Sequence, residues 1–282
     1  MQLRTLRALV SFLALAALAG CGQAERKSGL VAVDPVGHVH AVGFDPQDRS
    51  ILVAAHRGLF RAASDATSAT PVGDERRDVM GFSVEKPGRY VGSGHPDLRQ
   101  GGPTSVGFIR SSDGGAAWET VSLEGRADLH AIEVAGNRVY AFDALSGKLL
   151  RSRDSGATWS STTVPPVLDL AVDPVDADRL VASTEQGVLV STDGGRGFRP
   201  VVDLPLSHLT WGSDGITAVG GDQVVQRISG DLRTINQHGR APIVPAATTE
   251  TDFGLLVAGD DGSVYTSRDG GRTWDLTLEP IR

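Results

Sequence analysis

The chain has 282 residues, with 27 Lys and Arg against 34 Asp and Glu and one cysteine. A formal charge of −7 excludes the basic face that nucleic-acid binding requires, and a single cysteine excludes an internal disulfide. The 35 glycines and an aromatic content of 5% suit a turn-rich all-β chain.

The first twenty residues read as a leader rather than as fold. Arg4 and Arg7 precede an apolar run over residues 8–19, which closes on Leu18-Ala19-Gly20-Cys21. That run is shorter than the roughly 20 residues a membrane-spanning helix needs. A basic start, a short apolar run and small residues at its end make a secretory signal. The Leu-Ala-Gly-Cys ending resembles a bacterial lipobox, which implies a lipid on Cys21 as the first residue of the mature chain. The expected organisation is a lipoprotein signal peptide over 1–20, a lipidated tether over 21–29 and one folded domain over 30–282. Loss of Arg4 and Arg7 takes the formal charge from −7 to −9. The lipid would then be the membrane contact, since no polybasic patch supports it. The expected location is the extracytoplasmic side of the membrane, in the cell envelope.

After the tether the chain is read as short strands. Residues 39–44, 51–55, 58–62 and 70–72 form one set of four, and 170–172, 180–183, 188–191 and 199–202 form a clearer one. Short or alternating apolar runs bounded by Gly, Asp and Pro are strand signals. No window holds a 3.6-residue period, so almost no helix is expected. Residues 30–33 read as one further strand that helps to close a ring, in competition with 275–278.

One pattern recurs. Residues 111–118 read SSDGGAAW, 152–159 SRDSGATW, 191–198 STDGGRGF and 267–274 SRDGGRTW. Their starts lie 41, 39 and 76 residues apart, and the last gap is about twice the others. Worn copies stand at Ser229-Gly230-Asp231 and near Ala62. Six repeats of about 40 residues indicate a repeat architecture. The pattern resembles the Asp-box, or bacterial neuraminidase repeat, of sialidase, xyloglucanase and sortilin-type propellers. The resemblance implies an all-β fold: a six-bladed β-propeller of four-stranded antiparallel blades, with the boxes as turn staples. Asp and Ser side chains can close such a turn on backbone amides, and the aromatic can pack between sheets.

Strand order assigns the ends of the ring. With strands a to d in each blade, the boxes in the c–d turns fall on the bottom. The b–c turns and the starts of strand a fall on top. His38, His40, His130 and His208 stand at starts of strand a, and His56 in a b–c turn. Insertions in repeat proteins map to one face, often the binding face. An insertion of about ten residues over 92–104, in blade 2 only, carries His95, Asp97 and Arg99. His38 and His40, two apart on a strand, should project to the same side. Acids including Asp97, Asp128 and Asp169 join them. The expected ligand-binding set is His38, His40, His95, Asp97, Arg99, His130, Asp169 and His208. A metal, if bound, would take His38, His40, His95 and His130, because imidazole suits zinc, copper and nickel. The glycines of the insertion are expected to let it lean over the channel and carry His95 to His40 or His130.

No catalytic residue can be assigned. The sialidase mechanism uses an arginine triad and a tyrosine nucleophile, and the family's Arg-Ile-Pro start is absent, since Arg61 is followed by Ala62-Ala63. The expected function is binding of a polar ligand, a carbohydrate or a protein partner at the top face. The alternatives are a sialidase-like glycoside hydrolase and a metal-binding or assembly-factor propeller. No cofactor is named by the sequence.

Overall fold

The computed structural model describes residues 36–97, 99 and 102–282. The residues before 36, on which the expected signal peptide, the expected lipidation of Cys21, the expected tether and the strand expected over 30–33 fall, lie outside the described residues. Among the described residues there is no helix.

Among the described residues, twenty-four strands form six four-stranded sheets, each from strands consecutive in sequence and paired antiparallel with their neighbours. The sheets are the blades of a propeller, over 39–71, 78–122, 129–163, 167–202, 207–240 and 247–278. Asp275–Leu278 is strand d of blade 6. The ring closes through packing of blade 6 on blade 1: Val39, Val53 and Phe60 share a buried cluster with Leu256, Val264 and Leu278. The Glu279 amide adds a hydrogen bond of 2.8 Å to the Thr67 carbonyl.

Each junction between neighbouring blades has its own buried cluster. Leu52 and Leu59 meet Val79 and Tyr90 between blades 1 and 2, and Val91 and Phe108 meet Leu129 and Ile132 between blades 2 and 3. The core is therefore a ring of interfaces around a hollow axis. Burial of apolar side chains between sheets holds each blade to the next, so stability is shared by neighbour contacts.

The four repeated turns have one geometry. The hydroxyls of Ser111, Ser152, Ser191 and Ser267 donate to Asp113, Asp154, Asp193 and Asp269 over 2.7–2.9 Å. The same hydroxyls accept from the amides of Gly115, Gly156, Gly195 and Gly271 over 2.7–2.9 Å. Each Asp then accepts from the amide four residues on. In the worn copy Ser229 still donates to Asp231 at 2.6 Å.

Two expectations are corrected by strand pairing. Strand b of blade 2 is Arg89–His95, longer than expected, and Asp78 pairs with His95. His95 thus stands at the end of a strand and not on a flexible loop. Asp97, two residues on, is held in place: its carboxylate accepts the Arg76 amide at 2.9 Å and the Arg99 amide at 3.0 Å, and it is ion-paired with the Arg99 guanidinium.

The second correction concerns His38 and His40. Val39 pairs with Ala55 but Ala41 with Ala54, so His40 is the extra residue of a β-bulge. Bulges re-aim a side chain, and the two histidines reach different neighbours. The same shift at the start of strand a singles out Met80, His130 and Leu168 in blades 2, 3 and 4.

Candidate metal centre at the channel mouth

The six inner strands enclose a cavity of about 1040 Å³ along the axis. At its upper rim two buried carboxylates, Asp78 and Asp128, each 8% exposed, gather four imidazoles. Asp78 opens strand a of blade 2 and Asp128 immediately precedes strand a of blade 3.

Three blade elements converge on Asp78. His40, from the bulge of blade 1, places Nε2 3.2 Å from Oδ1. His56, from the b–c turn of the same blade, places Nδ1 3.0 Å from Oδ2. His95 of blade 2 places Nδ1 3.1 Å from Oδ2. Gly94 allows this approach: its φ is +139°, and a Cβ there would lie 2.0 Å from the Asp78 carbonyl oxygen. Burial works to raise the Asp78 carboxyl, but the close imidazoles outweigh it and hold the group below the usual carboxylate range.

The His40 contact has ion-pair distance without hydrogen-bond geometry. His40 Nε2 and Asp78 Oδ1 are both buried, and neither has a hydrogen-bond partner among the described residues. Leaving such atoms unmatched costs about 1–3 kcal/mol each. One atom each from His40, His56 and Asp78 lies within 4.8 Å of the others. Ligands of a tetrahedral ion with bonds near 2.0–2.1 Å stand roughly 3.3 Å apart. The His40–Oδ1 distance of 3.2 Å and the His56–Oδ2 distance of 3.0 Å are each near one such edge, on different oxygens of Asp78.

On the other side, His130 Nε2 lies 3.0 Å from Asp128 Oδ2, and His95 Nε2 lies 3.6 Å from the same oxygen. The Asp128 carboxyl is raised by burial, yet its net shift is downward, through His130 first and then the charge of His95.

The remaining expected residues stand elsewhere. His38 is exposed and sits 3.1 Å from Asp260 of blade 6. His208 lies 3.6 Å from Asp169, whose two oxygens accept the amides of Leu170 and Leu209. Asp169 thereby links blade 4 to blade 5. Asp97 and Arg99 fasten the insertion, as described above. Asp78 was not singled out from sequence, and His56 was placed on the top face without being chosen as a ligand. Nothing in the local sequence of Asp78 marks it.

Deeper in the channel Glu133 has no hydrogen bond or ion pair among the described residues. Enclosure by the blades, then the charge of Asp169, pushes its carboxyl up to about 8. The tyrosines offer no free nucleophile in strand b: Tyr90 donates to Asp45 at 2.6 Å and Tyr140 to the Ala177 carbonyl at 2.6 Å.

No protein-family model and no curated protein matches the chain by sequence. Solved structures resemble it in fold. A GH74 xyloglucanase from Xanthomonas campestris superposes with a TM-score of 0.57 at 20% identity, over 87% of this chain and 46% of its own. The gluconolactonase XC5397 from the same organism gives 0.64 at 16%, over 80% and 84%. YCF48 bound to D1 peptide gives 0.52 at 16%, over 86% and 82%. The chain spans less than half the length of the GH74 enzymes it matches. These proteins differ in function, and identities this low show a shared propeller fold alone.

Proposed function

We propose that this protein is a transition-metal-binding propeller of the cell envelope, tethered by a lipid on Cys21, that holds its ion at the channel mouth between His40, His56 and Asp78. One observation carries the proposal: His40 Nε2 and Asp78 Oδ1 face each other at 3.2 Å, buried and not hydrogen-bonded. With His40 neutral, a cation bound by both atoms would satisfy them. Two imidazoles and a carboxylate suit zinc, copper or nickel rather than calcium, which takes oxygen ligands. Met80, at the intervening bulge, brings a thioether to the same channel lining, a donor that suits copper(I). Three protein ligands leave a position open for exchange, and His56 is 55% exposed to solvent.

Protein purified without a histidine tag and equilibrated with zinc or copper is expected to retain the metal through gel filtration, as read by elemental analysis. Asp78→Asn should weaken binding by more than about 100-fold, beyond the 10–100-fold typical of a group one shell further out. Wild-type protein that retains no metal, or an Asn variant that binds equally well, would overturn the proposal.

Glu133 favours a second reading, a glycoside hydrolase. A carboxyl raised by its enclosure is the kind of group that serves as a general acid. Against it, both oxygens of Asp169 are committed to backbone amides. The expected result is no steady release of chromophore from aryl sialosides or aryl glucosides. Turnover abolished by Glu133→Gln would promote the hydrolase.

A further inference from the structure

We propose that the upper rim of blades 4, 5 and 6 docks a basic, leucine-bearing peptide segment of a protein partner, one cationic side chain of which enters the channel toward Glu133. The proposal is independent of the metal centre, which occupies the other half of the same face.

The two halves differ in charge. In blades 1 to 3 the top turns and connectors carry Arg57, Arg76, Arg77, Arg99 and Arg126. In blades 4 to 6 the corresponding segments, 164–166, 185–186, 203–206, 221–223, 241–246 and 259–263, hold no Lys or Arg. They present Glu185, Asp203, Asp222, Asp260 and Asp261, all exposed. Asp260 is paired with His38. Arg240, at the end of strand d of blade 5, is bound to the Asp222 carbonyl oxygen at 2.6 Å.

The same rim exposes an apolar side chain at the entrance to each blade: Leu168 is 39% exposed, Leu206 40% and Val244 57%. Leu168 stands at the bulge of blade 4, and both it and Val244 line the channel. Leu206 immediately precedes strand a of the blade between them. The inner strands below are tied together. The Leu209 amide donates to Asp169 at 2.9 Å, and the Glu250 amide donates to the Thr210 hydroxyl at 3.0 Å. Pro166, Pro205 and Pro242 stiffen the connectors above. A rim already set in shape loses little freedom on docking.

The occupant follows from this chemistry. Exposed aliphatic side chains gain by covering one another from water. Acids with no basic residue among them steer a cationic partner and repel an acidic one, and they repel an anionic lipid surface too. Inside the channel, Glu133 lines the same cavity without a hydrogen bond or ion pair among the described residues. Enclosure first, then the charge of Asp169, the residue after Leu168, raises its carboxyl. A guanidinium or ammonium inserted beneath the rim supplies the counter-charge that Glu133 lacks.

The test is fluorescence anisotropy of short labelled peptides on the full, untagged protein, with chelator present so that the metal centre plays no part. A peptide of alternating leucine and lysine is expected to bind. Leucine–glutamate and glycine–lysine peptides should bind at least about tenfold more weakly, since each lacks one half of the complementarity. Leu168→Ser combined with Val244→Ser should weaken the leucine–lysine peptide about tenfold, the scale of losing an apolar anchor. Both positions are exposed, and thermal midpoints verify the fold. Glu133→Gln, which keeps the side-chain shape, should also weaken it about tenfold. Equal binding of the glycine–lysine or leucine–glutamate peptide, or unchanged binding by the double serine variant, would overturn the docking surface. Unchanged binding by Glu133→Gln would overturn the insertion. Self-association in light scattering, or binding to neutral phosphatidylcholine vesicles, that disappears in the double serine variant would assign the rim to a second copy or to a membrane and overturn the peptide partner.

Discussion

Trp159→Ala is expected to destabilise the protein by about 3 kcal/mol, the lower end of the range for truncating a core aromatic. Trp159 is half-buried, which sets the lower end, but it does three things at once. Its ring meets Phe108 of blade 2 edge-on, centroids 5.3 Å apart. Its Nε1 donates to the Ser122 hydroxyl at 2.9 Å and to the Gly156 carbonyl at 3.0 Å. The Ser122 hydroxyl in turn donates to that same carbonyl at 2.6 Å. The turn of blade 3 is in this way locked onto strand d of blade 2. Gly156 belongs to the same contact, with φ at +87° and the Phe108 ring 2.1 Å from where a Cβ would stand. For a domain of this size the loss corresponds to roughly 6–12 °C in thermal midpoint. Trp274→Ala should cost less, because the Trp274 indole makes one hydrogen bond, to Gly271 at 3.2 Å. Equal midpoints for wild type and Trp159→Ala would show that the repeated aromatic is not a staple between blades.

Cys21→Ser is expected to move the protein from the membrane fraction to the soluble one without changing its fold. The expectation comes from the basic start, the apolar run over 8–19 and Leu18-Ala19-Gly20-Cys21. A lipid adds about 0.8 kcal/mol of membrane affinity per buried CH₂, and a formal charge of −9 after removal of the leader offers no electrostatic substitute. Among the described residues no helix is long and apolar enough to cross a membrane. Fractionation of cells with detection of the folded protein is the measurement. A serine variant still in the membrane pellet would refute the anchor while leaving the metal centre untouched.

The repeats made the fold legible. Four copies of one turn at a fixed period require one supersecondary unit repeated, and a unit with a two-sided apolar sheet must stack on its neighbours. Blade number and the six strand sets follow, and so does the gathering of histidines on one face, because strand direction alternates. These are consequences of local pattern: a turn needs its Ser, Asp and Gly in adjacent turns of the same chain segment, and that is written in order along the sequence.

The site was only partly legible, for a reason that lies in tertiary structure. Alternation along strand a places His38 and His40 together, yet the bulge sends His40 to Asp78 of blade 2 while His38 turns to Asp260 of blade 6. A bulge adds one residue without changing composition, so periodicity cannot reveal it. The expected flexible loop became the end of strand Arg89–His95, because Asp78–Lys86 extends beside it and offers pairing partners. Asp78 itself carries no motif. It matters because the closing ring brings a bulge, a turn and two strand ends from blades 1 and 2 around one carboxylate, and blade 3 adds the next. The sequence by itself determined the architecture and the face that bears the histidines. Which of them share an oxygen was decided by the curvature of the ring and the register of each inner strand, since both act between segments that are distant in the chain.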